Sequence, residues 1–212
     1  MLIYIVRHGE TDANKNGFLQ GQVDNPLNEN GIKLAEITGD GMKGIKFDVA
    51  YSSPLVRAKK TAEIILERIG DPDTPIIFDD RLKEVDVGEY EGVDIKPESS
   101  ELPPEVIFSI YNDFMRYQGY PGGESASDVI ERTQDFLKEL AAKDYECVLV
   151  SMHGCALRGM LNMFYEDKED FWHGRVPYNL AVNVVEVKDG EMKLIEEDKI
   201  YYDESEAADY YK

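Results

Sequence analysis

The sequence has few cysteines and no long apolar run. Only two of its 212 residues are cysteine, Cys147 and Cys155, so no disulfide framework is predicted. No stretch reaches the roughly 18 apolar residues that a membrane helix needs. The opening segment MLIYIVRHGE lacks the basic region and the length of a secretion signal. We therefore expect a cytoplasmic protein that has no membrane partner.

Basic residues are also scarce relative to acidic ones. The chain has 23 Lys and Arg against 43 Asp and Glu, for a formal net charge of −20. Such a surface repels nucleic acid, which excludes a nucleic-acid partner, and it is most simply explained by solubility. Any site for an anionic ligand must be a local cationic pocket.

Strand and helix patterns alternate along the chain, without internal repeats. This predicts an α/β fold with three α/β/α layers and a mostly parallel central sheet. The predicted strands are 2–6, 47–51, 75–78 and 146–151, followed by a hairpin of 181–187 and 191–196 that turns at Asp189-Gly190.

Capping residues mark the predicted helices. They run from Asn28 to about Lys43, from Ser53-Pro54 to Gly70, from Pro103-Pro104 to about Gln118, from Ser125 or Ser127 to about Lys143, and over 155–165. Residues 79–101 are predicted to form a long acidic loop. The acidic end, 201–212, is either disordered or docked by its tyrosines.

Two histidines and two arginines follow three of the predicted strands. Arg7-His8-Gly9-Glu10 ends the first strand, Arg57 lies one turn into the helix after the second, and His153-Gly154 leaves strand 146–151. Ligands of open α/β sheets bind beyond the carboxyl ends of the strands. We therefore expect these side chains to meet at one edge of the sheet.

This set suits phosphoryl transfer. The transition state spreads negative charge over three oxygens, which arginine forks and helix N-termini bind well. One neutral imidazole can attack phosphorus while a second imidazole holds an oxygen. A lone histidine is more often structural and a lone arginine more often solvated, and two histidines could also ligate zinc. No third ligand at a suitable spacing supports a metal, and the four residues together favour the phosphoryl site.

These residues also carry a resemblance to the histidine phosphatase superfamily, which includes the cofactor-dependent phosphoglycerate mutases. The resemblance spans Ile3 to about Asn183. Its motifs are Arg7-His8-Gly9-Glu10-Thr11 with Asn14, Gln20-Gly21, Asp24, Pro26-Leu27, Gly31, the segment Ser52 to Ala62 with Arg57, Leu82 with Glu84, Gly88, Glu91-Gly92, and Pro121 to Ser125.

The resemblance implies roles for individual residues. His8 would carry the phosphoryl group, and Arg7, Arg57 and His153 with Gly154 would bind its oxygens. Glu84 would give a proton to the leaving oxygen. Asn14, Gln20 and Gly21 would line the phosphate site. The resemblance also implies one phosphoglycerate-mutase-like domain over 1–212, with a lid at about 84–123 and an acidic tail at about 201–212.

Two positions depart from the family pattern, Met152 and Tyr90. Tyr90 stands where many relatives have Trp, which is the milder change. Met152 replaces the Ser or Thr that usually precedes the second histidine, which removes a hydroxyl from that segment. His173 matches no motif and is interpreted as structural or exposed.

Within the family, the sequence favours a phosphatase that hydrolyses small phosphomonoesters without metal or cofactor, over a mutase. A mutase must hold a bisphosphate, but residues 84–105 carry eight acids and one base, Lys96, and Arg116 stands alone. The acidic lid indicates a neutral or cationic leaving group, as in an α-ribazole-phosphate-type ester. A non-catalytic phosphate-binding relative is the other alternative, although no catalytic residue is missing. A homodimer is compatible with the sequence, which leaves the oligomeric state open.

Overall fold

The computed structural model describes residues 1–96, 99–117 and 119–207. Within these residues, six strands form one sheet in the order β3-β2-β4-β1-β5-β6. Strands β3, β2, β4 and β1 run parallel, and β5 and β6 complete the sheet antiparallel, which confirms the prediction of a mostly parallel sheet. The strands are β1 (Leu2–Arg7), β2 (Val49–Ser52), β3 (Ile76–Phe78), β4 (Cys147–Met152), β5 (Val182–Lys188) and β6 (Glu191–Lys199).

Helices cover both faces of the sheet. Helices α2 and α3 pack together in one layer, and α5 and α6 pack together in the other. The central strand β4 has apolar residues on both of its faces because both faces are buried. Val148 and Val150 lie in one core, and Leu149 lies in the other. The helices are α1 (Asp12–Asn16), α2 (Glu29–Gly41), α3 (Val56–Ile69), α4 (Pro104–Asn112), α5 (Ala126–Ala141) and α6 (Gly154–Leu161).

Three helix boundaries differ from the prediction. Helix α4 ends at Asn112, because the backbone of Asp113 (φ −144°, ψ 42°) leaves the helical region, and a 3₁₀ turn follows at Phe114–Arg116. The predicted end at Gln118 lies outside the described residues. Helix α6 likewise ends at Leu161 and passes into a 3₁₀ turn at Asn162–Phe164.

Helix α3 begins at Val56, so the prediction of Ser53 as its N-cap was wrong. The Ser53 hydroxyl accepts the Leu55 N–H before the helix starts, at 3.3 Å. The first helical N–H, that of Val56, donates to the carboxylate of Asp24 at 2.6 Å. A residue 32 positions away in sequence caps this helix, and no local pattern could have identified it.

The two remaining described segments contribute side chains to the two hydrophobic cores. Residues 79–101 contain two 3₁₀ turns, at Asp80–Leu82 and Gly88–Tyr90, in place of an uninterrupted loop. The acidic end docks as far as residue 207, because the Tyr202 hydroxyl is buried and donates to the Asn179 carbonyl at 2.6 Å. Residues 208–212 lie outside the described residues. No described helix combines the length and apolarity needed to cross a membrane.

Candidate active site

His8 is the first residue after β1, and its ring orientation is fixed by its neighbour. The imidazole is 2% exposed, and its Nδ1 lies 2.7 Å from the Gly9 carbonyl oxygen. A carbonyl only accepts, so Nδ1 carries the proton and Nε2 holds the lone pair. The surrounding loop is also fixed, since Asn179 donates to the His8 carbonyl and the Gly9 N–H donates to the Thr61 hydroxyl, each at 2.9 Å.

Burial keeps this imidazole uncharged. Desolvation lowers the pKa of His8 well below its usual value, and the positive charges of Arg57 and Arg7 lower it further. The hydrogen bond to Gly9 opposes the shift without reversing it. At neutral pH, His8 is therefore a neutral imidazole with an available Nε2 lone pair, as a nucleophile requires.

His153 lies beside His8, at the N-terminus of α6. The two ring centroids are 5.0 Å apart, and His153 Nε2 is 2.8 Å from the Ser53 hydroxyl. Its Nδ1 is buried and has no hydrogen-bond partner among the described residues. Burial, followed by the charge of Arg57, lowers the pKa of His153 well below its usual value. The site thus contains a buried ring nitrogen that points to no protein partner.

Arg57 presents a second such atom. Its side chain is fully buried, and Nη1 and Nη2 donate to the carbonyls of Val23 and Gly21 at 2.7 and 2.6 Å. Its Nε has no partner among the described residues. Burial lowers the pKa of Arg57 to about 10, so the guanidinium stays cationic at neutral pH. A buried donor without a partner costs about 1–3 kcal/mol, and an anion oxygen would remove that cost.

Arg7 and Gly154 meet at the same place. Arg7 ends β1, donates to the Pro177 carbonyl and lines the pocket next to His8. A Cβ on Gly154 would lie 3.2 Å from Arg7 Nε, so the glycine allows the guanidinium to lie against the N-terminus of α6. The partial positive charge of that helix end adds to the positive potential that Arg7 creates in the pocket.

Asn14 and Gln20 line the same pocket, whereas Gly21 does not. The Asn14 side-chain oxygen accepts the Thr11 N–H at 3.2 Å, and the Gln20 oxygen accepts the Asn25 amide at 3.0 Å. With both oxygens engaged, the amide N–H groups are the donors that remain for a ligand. The Gly21 N–H instead donates to Glu91 at 2.9 Å, so this glycine supports Arg57 through its carbonyl.

Glu84 reaches the pocket from the segment after β3. It is 8% exposed, and its Oε1 accepts the N–H groups of Val85 and Ala156, both at 2.9 Å. Its Oε2 accepts one hydrogen bond from the residues that the structure describes, that of the Cys155 N–H at 3.1 Å. The carboxylate thus sits at the N-terminus of α6, where a negative charge is favoured. Because Oε2 accepts a single hydrogen bond, it is the oxygen better able to exchange a proton with a substrate.

Arg132 holds the segment that carries Glu84, and sequence reasoning missed it. Its Nη1 donates to the carbonyls of Arg81 and Lys83, each at 2.8 Å, and Nη2 donates to the Glu84 carbonyl at 3.1 Å. Nε and Nη2 also fork onto the Glu124 carboxylate at 2.7 and 2.8 Å. All five N–H groups are thereby used. In the sequence, a single arginine within an amphipathic helix resembles a surface residue, so no signal marked it.

The predicted acidic lid uses several of its acids to hold backbone. Glu91 accepts the Gly21 and Gln22 N–H groups at 2.9 Å, and Asp86 and Asp94 accept the N–H groups of Gly88 and Lys96 at the same distance. These carboxylates stabilise loops and do not line the pocket. The prediction of a neutral or cationic leaving group therefore cannot rest on these three carboxylates.

Met152 and Tyr90, which depart from the family pattern, and His173, which matches no motif, are not among the described residues that line the pocket. Met152 is buried in the core to which α5 and α6 also contribute. The hydroxyl group that His153 contacts is that of Ser53. His173 stacks on Tyr165 with the ring centroids 3.9 Å apart. Among the described residues, no group of three or more His, Cys, Asp or Glu side chains is placed to hold a metal ion.

Comparison with known proteins identifies the family. The sequence profile of the histidine phosphatase superfamily (branch 1) matches residues 3–198, and the chain belongs to that superfamily. It is 34% identical to a phosphoglycerate mutase of Schizosaccharomyces pombe, over 76% of this chain and 77% of the relative. It is also 34% identical to the uncharacterized phosphatase PhoE of Bacillus subtilis, over 75% of each protein.

Solved structures agree with this assignment. Bacillus stearothermophilus YhfR superposes with a TM-score of 0.84 at 28% identity, over 94% of this chain and 97% of that one. Since members of the superfamily include both mutases and phosphatases, the choice between these reactions depends on the pocket itself.

Proposed function

We propose that this protein is a metal-independent phosphatase that hydrolyses small phosphomonoesters through a phosphohistidine on His8. The observation that carries the proposal is the cluster formed by a neutral, buried imidazole and two buried nitrogens without protein partners among the described residues, His153 Nδ1 and Arg57 Nε. These two groups and Arg7 form a cradle for one phosphoryl group. Asn14 and Gln20 donate to the same group through their side-chain amides.

In the first step, His8 Nε2 attacks phosphorus in line with the leaving oxygen. The new N–P bond forms as the P–O bond to the alcohol breaks, and the cationic cradle stabilises the charge on the equatorial oxygens. An alkoxide is a poor leaving group, so the Glu84 carboxyl group donates a proton from Oε2 to the departing oxygen. The alcohol then leaves as a neutral molecule.

In the second step, water attacks the phosphorus of phospho-His8. Glu84, now ionised, accepts a proton from that water as the P–N bond breaks. The products are inorganic phosphate and the neutral His8 imidazole, with Glu84 protonated for the next cycle. One residue thus acts as the acid in the first step and as the base in the second.

The distribution of cations favours hydrolysis over a mutase reaction. Of the described residues that line the pocket, Arg7 is the one that bears a positive charge, and Arg57 lies buried behind the phosphate position. Arg116 has a 73% exposed side chain and contacts Asp113 and Glu169. A bisphosphate intermediate would need a second cationic group that this lining does not offer.

A direct assay separates the three alternatives. A phosphatase releases inorganic phosphate from p-nitrophenyl phosphate without added bisphosphate, and His8→Ala abolishes that release. A mutase interconverts 2- and 3-phosphoglycerate and depends on 2,3-bisphosphoglycerate. A non-catalytic relative gives no turnover with any ester, although it binds vanadate. Mutase activity exceeding hydrolysis would overturn the proposal.

A further inference from the structure

The pocket extends beyond the phosphate cradle into a chamber with apolar walls. About 590 Å³ of space lies among its lining residues, a figure that includes the open solvent at its mouth. Its polar lining includes Arg7, Glu84, Asn14 and Gln20, the residues proposed above to act on the phosphoryl group and the leaving oxygen. The side chains that line the rest are mainly apolar or aromatic: Phe18, Leu19, Ile95, Ile110, Tyr111, Tyr120, Trp172 and Val176.

The aromatic wall is held in place by a buried ring behind it. Phe114 is 1% exposed, and its centroid lies 5.8 Å from that of Trp172 and 6.1 Å from that of Tyr120. Trp172 also donates its indole N–H to the Ile110 carbonyl at 2.7 Å, which ties its loop to helix α4. The rings are therefore fixed before any ligand arrives, and they lose little conformational entropy when one binds.

The charges and walls of this chamber select one class of alcohol. Arg7 and Glu84, the charged residues of the described lining, are both committed to the phosphoryl group and the leaving oxygen. A carboxylate or second phosphate on the substrate would be buried there without a cation, which is costly. A ring, in contrast, would bury apolar area against Tyr111, Tyr120 and Trp172.

We infer that the physiological substrate is the monophosphate ester of an uncharged alcohol whose carbon adjacent to the phosphate oxygen bears an aromatic or other flat apolar group. This inference rests on the proposed phosphatase function and specifies the chemical class of its substrate. The phosphoryl group occupies the cradle around His8, and the ring of the alcohol lies between α4 and the loop that carries Trp172.

A series of esters of primary alcohols tests this inference in the wild-type protein. Benzyl phosphate, cyclohexylmethyl phosphate, glycerol 3-phosphate and 3-phosphoglycerate are compared by kcat/KM at one pH. We expect benzyl phosphate to exceed glycerol 3-phosphate by roughly ten-fold or more, because an apolar pocket discriminates by about that factor. Cyclohexylmethyl phosphate should fall between these two esters, and 3-phosphoglycerate should be the poorest substrate.

Two variants of helix α4 test whether the preference for benzyl phosphate comes from the lining of the chamber. Tyr111 lines the chamber, whereas Phe108 on the same helix is 61% exposed. Tyr111→Ala should lower kcat/KM for benzyl phosphate about five- to ten-fold and change that for glycerol 3-phosphate less than two-fold. Phe108→Ala, the matched control, should change neither. Trp172→Phe, which keeps a ring in the wall, provides a second variant if Tyr111→Ala is poorly folded.

The outcomes distinguish this inference from the function on which it rests. Equal kcat/KM values across the ester series, together with good turnover of p-nitrophenyl phosphate, would overturn the substrate class and leave the phosphatase intact. A preference for 3-phosphoglycerate would also overturn the substrate class. No turnover of any ester would instead overturn the proposed function.

Discussion

Replacing Arg132 with lysine should displace Glu84 and weaken its action as an acid, while the positions of the residues that bind phosphate stay unchanged. Lysine keeps the charge, but its single ammonium cannot reach the three carbonyls of residues 81–84 and both oxygens of Glu124. At least two of the five hydrogen bonds are lost. Because the Arg132 side chain is 18% exposed, water replaces part of them, and we expect the free energy of unfolding to fall by about 1–3 kcal/mol.

The kinetic effect should depend on the leaving group. A displacement of about 1 Å in a catalytic group costs up to about 10²-fold in rate. We therefore expect kcat for benzyl phosphate to fall about 10- to 100-fold in Arg132→Lys. The phosphorylation step with p-nitrophenyl phosphate should slow less than three-fold or so, since that leaving group needs little protonation.

A double-mutant cycle shows whether Arg132→Lys lowers the rate by displacing Glu84. If Arg132 acts through Glu84, Arg132→Lys should have little further effect on benzyl phosphate in a Glu84→Gln background. The matched control is Arg68→Lys, because Arg68 of α3 forms an exposed ion pair with Asp40 of α2. This variant should leave the rates with both substrates unchanged. Additive losses in the cycle, or equal slowing of phosphorylation with both substrates, would refute the positioning role.

Three further predictions concern Glu84, the histidines and metal ions. Glu84→Gln should strongly slow phosphorylation of His8 by alkyl phosphates but less so by p-nitrophenyl phosphate, and equal slowing in burst kinetics would show that Glu84 is not the acid. Because burial lowers the pKa of His8 and His153, both rings should remain neutral as pH falls below 6.5 and protonate only at lower pH. Carbon-13 NMR titration of the free protein checks this, and protonation of either ring at pH 6.5 would contradict it. Activity should survive EDTA, whereas loss in chelator with recovery on adding a divalent ion would indicate a metal mechanism.

The sequence predicted the sheet and much of the pocket because both depend on local patterns. Continuous apolar runs marked the buried strands, and strand ends marked where His8 and His153 would lie. The structure brings these histidines to a centroid separation of 5.0 Å, and Arg7 and Gly154, the chain neighbours of the two histidines, line one pocket together with Glu84. The catalytic roles of these residues stay predictions until the enzyme is assayed.

Contacts between distant parts of the chain could not be predicted. Asp24 caps α3 although it lies 32 residues from Val56 in the sequence. Arg132 donates to the backbone carbonyl of Glu84, 48 residues away. The contacts of the lid acids could not be predicted either, because composition gives the number of charges and not the groups that they bind. Glu91, for example, satisfies the backbone N–H groups of residues 21–23 and not a ligand.

The position of the phosphoryl group during turnover tests the mechanism most directly. In Glu84→Gln incubated with p-nitrophenyl phosphate, the second step is slowed, so the intermediate should accumulate. Quenching in alkali, followed by peptide mass spectrometry and phosphorus-31 NMR, should locate one phosphoryl group on His8. It should be on Nε2, since Nδ1 is engaged with the Gly9 carbonyl. Phosphate on Nδ1 or on another residue, or turnover by His8→Ala above about 1% of the wild-type rate, would contradict the mechanism.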